Sequence, residues 1–476
     1  MSLLQLLRGR LRLLLDFGLL SAGDALGKLV GFIAFAHLAR TVSLEQYGAI
    51  EFATAVTAVF AAVVDGGLGA IGAREISRNP KLAPQLSRQI PAVRLALALA
   101  AIPMMGLTGV LLSQSPDTTR LVWVFAASLL LLPMRQQWLM QGAERMGVVA
   151  LGQLIRAVAF AGFVLWQVRS EDDLLRVGAG EIAAALSLGV FYVVVQRQYV
   201  GTIGLSFDLR AARWLGVQGF SVGAAEIVWA LHTYMPTALV AASAGEGQAA
   251  LFGVGHRIVV PLLTLSWIYH LNLFPTLVRI GSDSAKLSDL TAASMRLSAW
   301  ASVFVAIVIC QLSEPLLAAL FGEGYGPAAR YLAILVWLFP VTIFAGHARF
   351  SLIASGGQRY VLSAQLAGLG AVVVLAVGLI PPYQALGGSI TMVGSGLAVC
   401  AFAQRAARRK IPHFPSLLTT TWPVVAAGLA SGAGAMMASP WERALVVAFV
   451  YCGLAAAAHR QLGLDLRLLA TARNEI

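Results

Sequence analysis

The chain has 476 residues, of which 58% are hydrophobic and only 12% charged, with a formal net charge of +12 and a mean hydropathy of +0.79. Soluble domains carry about 25% charged residues, so this chain has too few polar groups to cover a water-exposed surface, and a soluble globular fold is excluded. The basic excess lies mostly between apolar runs, which fits membrane topology better than a nucleic-acid surface.

The apolar runs are long and do not alternate at period two, so they are helices and not barrel strands. Segment 1–15 is basic, with Arg8, Arg10 and Arg12, like the n-region of a signal peptide. The apolar stretch that follows runs to about residue 38 and holds Asp24 and Lys28. That is too long and too polar for a cleaved signal, so a retained first helix is expected. Fourteen spans follow by hydropathy, at roughly 17–39, 46–70, 90–112, 120–142, 146–168, 174–195, 214–242, 247–278, 292–312, 328–354, 359–380, 384–404, 416–437 and 441–459. Each is long enough for a hydrocarbon core of about 30 Å. Cys310, Cys400 and Cys452 fall inside these runs without metal-ligand or disulfide spacing, and read as core thiols. No metal and no cofactor is expected.

The connecting loops test this division. Alternate loops are basic: Arg74, Arg78, Lys81 and Arg88, then Arg145, then Arg197, Arg210 and Arg213, then Arg279 and Lys286, then Arg359, then the cluster Arg405, Arg408, Arg409 and Lys410. The opposite loops, 113–119, 171–173, 243–248 and 381–385, are short and acidic or neutral. This pattern puts both termini in the cytoplasm; a count of twelve spans would preserve it, a count of thirteen would not. A weak repeat runs through the chain: Gln46-Tyr47-Gly48 against Leu251-Phe252-Gly253, Arg94-Leu95 against Arg296-Leu297, Gly142 to Arg145 against Gly356 to Arg359, and Gln153-Leu154 against Gln365-Leu366. The offsets lie near 200–214 residues. The copies share one orientation, the arrangement that puts a substrate path between two lobes. The expected divisions are 1–205, 206–410 and a tail of two further helices over 411–476.

A charge at the centre of a bilayer costs roughly 2.5–3.5 kcal/mol on insertion scales, so each needs a partner or a wet cavity. Asp24 and Lys28, four residues apart, share a helix face and can pair. Arg156 and Arg257 lie too deep to reach the headgroups, and Arg135 is shallower; with Lys28 they are the candidate cavity cations. Arg94, Arg296 and Arg349 sit near span ends, where their stems can snorkel. Glu51, Glu181, Glu226, His232 and His256 join Asp24 as candidates for ion pairing or for binding a coupling proton or cation. Asp65 is expected to serve Arg74 or a loop. Pro236, Pro261 and Pro340 are expected to kink their spans. Fixed arginines suit a phosphorylated cargo because the guanidinium plane binds phosphate bidentately.

Several short motifs, in order, resemble one family. They are Leu38-Ala39-Arg40 with Ser43, Glu45, Tyr47 and Gly48; Val64-Asp65-Gly66-Gly67-Leu68-Gly69 followed by Gly72-Ala73-Arg74-Glu75; Met140-Gln141-Gly142 with Glu144-Arg145; and Leu320 to Tyr325. The set is similar to the polysaccharide-transporter branch of the MOP (multidrug, oligosaccharidyl-lipid, polysaccharide) superfamily, the Wzx-type O-antigen flippases. One departure is Gly66-Gly67, where an aromatic before the glycine is more usual. The resemblance implies an all-α polytopic fold with two six-helix lobes in a V plus two C-terminal helices, in a bacterial inner membrane. It implies alternating access for an undecaprenyl-diphosphate-linked oligosaccharide, destined for O-antigen or exopolysaccharide. It also implies H+ or Na+ as coupling ion, and a glycan polymerase and a chain-length regulator as partners, with no nucleic acid. Rivals within the fold are a peptidoglycan-precursor (lipid II) flippase and a cation-coupled drug exporter, the latter disfavoured by the deep arginines and extra helices. An O-antigen ligase or polymerase would need a large outward domain; the longest outward loop, 313–327, is too short for one.

Overall fold

Ser43 sets the start of the first fully described span. Its hydroxyl accepts from the Gln46 amide while the Gln46 side chain accepts from the Ser43 amide, a capping box. The computed structural model describes residues 23, 25–201, 203–280 and 283–474. Helix α1 covers 25–41, and α2 covers Leu44–Asp65. Asp24, the expected partner of Lys28, lies outside the described residues. Among these residues there are eleven helical stretches long and apolar enough to cross a membrane. The longest, Gln358–Lys410, breaks at Gln384, where φ is 53° and ψ −129°, just after Pro381-Pro382. It therefore supplies two of the expected spans. Residues 25–41 and Leu417–Gly434 lie where the remaining two are expected. The fold is all-helical.

By backbone proximity the chain forms two compact units, Met1–Ala250 and Leu251–Ile476. In the first, α2 ends in two left-handed residues, Gly66 and Gly67, and the chain turns into α3 (Leu68–Arg78). Then come α4 (Ala83–Leu112) and α5 (Pro116–Ser128). The expected fourth span is not one helix. After α5 the chain tightens into a 3-10 turn over Leu129–Met134 containing Pro133, leaves helical geometry at Arg135, and resumes as α6 (Gln137–Gly142). Proline removes a backbone donor and clashes with the preceding turn, which explains the break. Helices α7 (Met146–Gln167) and α8 (Leu174–Val200) form a hairpin. Helix α9 (Leu209–Ala244), which the repeat assigns to the second half, packs in this unit along α2.

Two of the family-like motifs of this unit, those around Gly72 and Gly142, meet in one place. A Cβ on Gly72 would lie 2.4 Å from the Trp138 ring, and one on Gly142 would lie 2.7 Å from the Ala73 carbonyl. These glycines let α3 lie against α6 around the buried Trp138, a packing role that needs no ligand.

In the second unit, α10 runs Glu246–Ile280 across the boundary and α11 covers Ser284–Gln311. A short helix α12 (Ser313–Phe321) and a broken span follow, α13 (Ala329–Leu335) and α14 (Leu338–Ala354). That break precedes Pro340, which sits in the first turn of α14. The break at Val336–Trp337 is where the Pro340 ring meets the Val336 carbonyl and the i→i−4 bond is missing, so Pro340 makes the expected kink. The long α15 (Gln358–Lys410) comes next. The helices α16 (Thr421–Gly434) and α17 (Pro440–Ala457) lean on α11: Tyr451 is buried and its hydroxyl donates to the Trp300 carbonyl at 3.1 Å. Arg296 does not snorkel. It makes a bidentate pair with buried Asp465 of α18 (His459–Asn474) at 2.5 and 2.8 Å, and so docks that helix on α11. Arg349 is likewise turned inward, over the Trp267 ring at 5.2 Å.

Candidate functional site

The face of α2 made by Thr54, Thr57, Ala58, Ala61, Ala62 and Asp65 carries only small or polar side chains. These cannot fill the space between α2 and its neighbours. The result is a cavity of about 760 Å³ in the first unit, closed by α2, α4, α7, α8, α9 and the broken fourth span. Its size falls within the range of about 300–1,000 Å³ typical of small-molecule sites.

Three arginines line it. Arg94, from α4, is buried; its guanidinium pairs with Asp65 and also donates to the Arg135 carbonyl at 2.9 Å. That carbonyl is available because the chain leaves helical geometry at Arg135. Arg156, from α7, pairs with Glu181 of α8 at 2.5 Å. Arg135 differs from both. Its Nε and Nη2 donate to Gln137 Oε1 at 3.2 and 3.1 Å, and among the described residues it has no carboxylate within ion-pair distance. Gln153 of α7 donates to the same Gln137 oxygen at 3.1 Å, so the side chain that orients Arg135 is itself held.

The opposite wall is α9. Glu226, Trp229 and Tyr234 line the cavity from it, the two rings 6.1 Å apart and nearly perpendicular. The cavity thus offers cations on one side, a pair of aromatic rings on the other, and amides between.

Of the residues singled out from sequence, Arg135, Arg156, Glu181 and Glu226 come together here. Lys28, Glu51 and Arg257 lie elsewhere, and each has an interaction partner. Glu51 is buried in α2. His256 and Arg257 belong to the second unit; the His256 ring stacks on Phe252 at 5.9 Å. His232 is on α9 but not in the cavity lining, and its Nε2 has no hydrogen-bond partner among the described residues. Sequence reasoning sent Arg94 to the headgroups and Asp65 to Arg74. Instead they pair with each other, 29 positions apart, while Arg74 binds Glu75 and the Gln218 side chain. Gln137, Gln153, Trp229 and Tyr234 were not anticipated; Pro133 immediately before the Arg135 segment was the available signal for a break aimed at the lumen.

The sequence matches a family profile, the polysaccharide biosynthesis protein family, over residues 13–281. No curated protein sequence matches the chain. Among solved structures the fold is similar to the lipid II flippase MurJ in an inward-closed conformation, at 12% identity and a TM-score of 0.73, covering 93% of this chain and 99% of that one. It is also similar to an inward-facing multidrug resistance MATE family transporter of the MOP superfamily, at 12% identity and a TM-score of 0.61, covering 82% and 94%. A third similar structure is a MOP superfamily transporter from Pyrococcus furiosus, at 14% identity and a TM-score of 0.55, covering 84% and 95%. At such identities the likeness speaks to fold alone, whereas the profile spans more than half of the chain. The chain belongs to the polysaccharide biosynthesis protein family, and it is a multi-pass membrane protein whose fold is of the MOP type.

Proposed function

We propose that this protein is a transporter that moves undecaprenyl-diphosphate-linked oligosaccharide repeat units from the cytoplasmic to the periplasmic leaflet of a bacterial inner membrane by alternating access, for O-antigen or exopolysaccharide assembly. The observation that carries this reading is Arg135, a cavity-lining cation held by Gln137 with no carboxylate of its own. Arg94 and Arg156 are each neutralised by an acid, so Arg135 is the group left to meet a diphosphate. Guanidinium suits that task through bidentate, charge-assisted hydrogen bonds. The glutamines and the Trp229 and Tyr234 rings suit the sugars, which present both hydroxyls and apolar faces. The polyprenyl tail, being as apolar as lipid, has no need to enter the cavity.

The test is deletion of the gene and complementation with Arg135→Ala or Arg135→Lys, followed by mass spectrometry of polyprenyl-linked glycans in inner-membrane vesicles. A hydrogen bond to a charged group contributes about 1.5–3 kcal/mol, so Arg135→Ala is expected to slow export roughly 10- to 100-fold. Arg135→Lys keeps the charge but loses the planar fork, and is expected to fall between. Complete repeat units should accumulate on the cytoplasmic face. Accumulation of a peptidoglycan precursor would reassign the cargo to lipid II. Repeat units on the periplasmic face would point to a defect after translocation, and no accumulation at all would remove the lipid-linked cargo.

A further inference from the structure

We propose that the extended segment between α8 and α9, residues 203–208, forms with the start of α4 a binding site for an acidic phospholipid of the cytoplasmic leaflet. Arg88 takes the headgroup phosphate, and the outer face of the segment takes the acyl chains. This inference does not depend on which cargo the cavity holds.

Helix α8 ends at Val200 and α9 begins at Leu209. Residues 203–208, between them, form no helix. Ile203, Leu205 and Phe207 are 52%, 55% and 60% exposed, whereas Gly204 and Ser206 face α4. An extended backbone turns successive side chains to opposite faces, so the outer face is apolar throughout. The inner face is fixed at two points. The Ser206 amide donates to the Arg88 carbonyl at 3.0 Å, and a Cβ on Gly204 would lie 3.7 Å from Arg88 Nε. Three large apolar side chains on one outer face make an interaction surface. Lipid is the occupant at hand, because the segment joins two membrane spans. The start of α9 continues the same apolar character with Leu209 and Trp214, both exposed.

Between the segment and α4 lies a cleft of about 300 Å³, lined by Pro84, Gln85, Arg88, Gln89 and Ser206. Gln85, Arg88 and Gln89 are three and four positions apart and so share one helix face. Gln85 Nε2 donates to Gln89 Oε1 at 3.4 Å, which leaves the Gln89 amide nitrogen to donate elsewhere. The Arg88 guanidinium is exposed and has neither a hydrogen-bond nor an ion-pair partner among the described residues. Asp208, the acid of the segment, is engaged as the cap of α9 and accepts from the Arg210 amide at 2.9 Å. Lys81, Arg197 and Arg210 lie exposed on the adjoining helix ends, so the surroundings are cationic. Arg88 stands just before the apolar run 90–112, the level at which headgroup phosphates meet the hydrocarbon core. Guanidinium binds a phosphate diester bidentately, and basic pockets at the cytoplasmic ends of spans suit anionic headgroups. A zwitterionic lipid offers the same phosphate but adds a cation that these surroundings repel. A free phosphate would satisfy Arg88 and leave Ile203, Leu205 and Phe207 in water. The two faces together therefore select an acidic lipid.

The experiment is native mass spectrometry of the full chain in detergent, with added phosphatidylglycerol, phosphatidylcholine or inorganic phosphate. The wild type should retain phosphatidylglycerol roughly 10-fold more tightly than phosphatidylcholine. Arg88→Gln removes the charge but keeps an amide, and is expected to weaken phosphatidylglycerol binding roughly 10-fold. Phe207→Ser leaves every charge in place and is expected to weaken it by a similar factor. Arg279→Gln removes an exposed arginine from α10 and should leave binding unchanged. Unchanged binding in Arg88→Gln would overturn the site, and equal loss in Arg88→Gln and Arg279→Gln would reduce it to diffuse charge attraction. Retention of inorganic phosphate by the wild type and Phe207→Ser alike, without lipid, would replace the lipid by a free anion. A dimer that Phe207→Ser dissociates would give the apolar face to a second copy of the chain. None of these results bears on the cargo, which the glycan measurement decides.

Discussion

At the scale of single residues, the cavity shows how a membrane interior makes three arginines unequal. Arg94 and Arg156 each have an acid, which removes most of the cost of leaving water. Arg135 is stabilised by a neutral amide and a lumen. On the facing wall the half-exposed Trp229 is the largest apolar surface offered to a ligand. Burying a large apolar side chain contributes about 1.5–3 kcal/mol. Trp229→Ala is therefore expected to raise the half-saturating cargo concentration roughly 10-fold in reconstituted vesicles, while Trp229→Phe stays within about twofold; equal loss in both would mean the ring does not stack. Much of this site was hidden in the sequence. The deep positions of Arg135, Arg156, Glu181 and Glu226 are legible as charges inside apolar runs. Their partners are not, because Asp65 with Arg94 and Arg156 with Glu181 are separated by 29 and 25 positions. Span arithmetic cannot tell a snorkelling arginine from an inward-turned one, as Arg296 and Arg349 also demonstrate.

At the scale of elements, the internal repeat becomes concrete in one turn. Between α6 and α7, Ala143, Glu144 and Arg145 donate backbone bonds to the carbonyls of Leu139, Gln141 and Met140; between α14 and α15, Ser355, Gly356 and Gly357 donate to those of Ser351, Ile353 and Leu352. Each pair of partners is related by one constant offset, the same that relates Gln153 to Gln365; it sets Glu144 against Gly356 and so corrects by two residues the pairing of Gly142 with Gly356 read from the sequence. Both turns need a left-handed residue, with φ of 58° at Glu144 and 73° at Gly356. A side chain is strained there and glycine is not. Glu144→Gly should therefore raise thermal stability by about 0.5–1 kcal/mol, and Gly356→Ala should lower it by a similar amount. Melting of the detergent-solubilised protein reads both, and a destabilised Glu144→Gly would mean the Glu144 side chain matters more than its backbone. The α3–α6 contact gives the opposite case. Gly72→Ala drives a methyl into Trp138 and Ile90, and overpacking of this kind costs about 1–3 kcal/mol. Loss of folded protein without change in the cargo specificity of what remains is the expected result. Motifs of this sort read as family marks because packing constrains them.

At the scale of the whole molecule, hydropathy was enough for the architecture, because a bilayer requires every backbone polar group to be satisfied within a helix. What hydropathy missed was where spans break, at Arg135 and before α14, since a break shortens no apolar run. Sidedness is a separate matter and rests on charge. The basic loops carrying Lys81, Lys286 and the Arg405 to Lys410 cluster alternate with loops that hold few or no basic residues, and positive charge is retained on the cytoplasmic side. Reporter fusions after Lys81, Lys286 and Lys410 are therefore expected to be active only as cytoplasmic reporters, and fusions after Glu171, Gly245 and Met437 only as periplasmic ones. The fusion after Met437 is the decisive one. It lies beyond α16, whose helix is only 14 residues long and continues a short 3-10 turn. A periplasmic signal there means that the stretch from Leu417 to Gly434 crosses the bilayer, and α17 then returns the chain to the cytoplasm. A cytoplasmic signal means that α16 and α17 enter and leave from the same side, which reduces the span count by two and leaves every earlier loop where the charge pattern puts it.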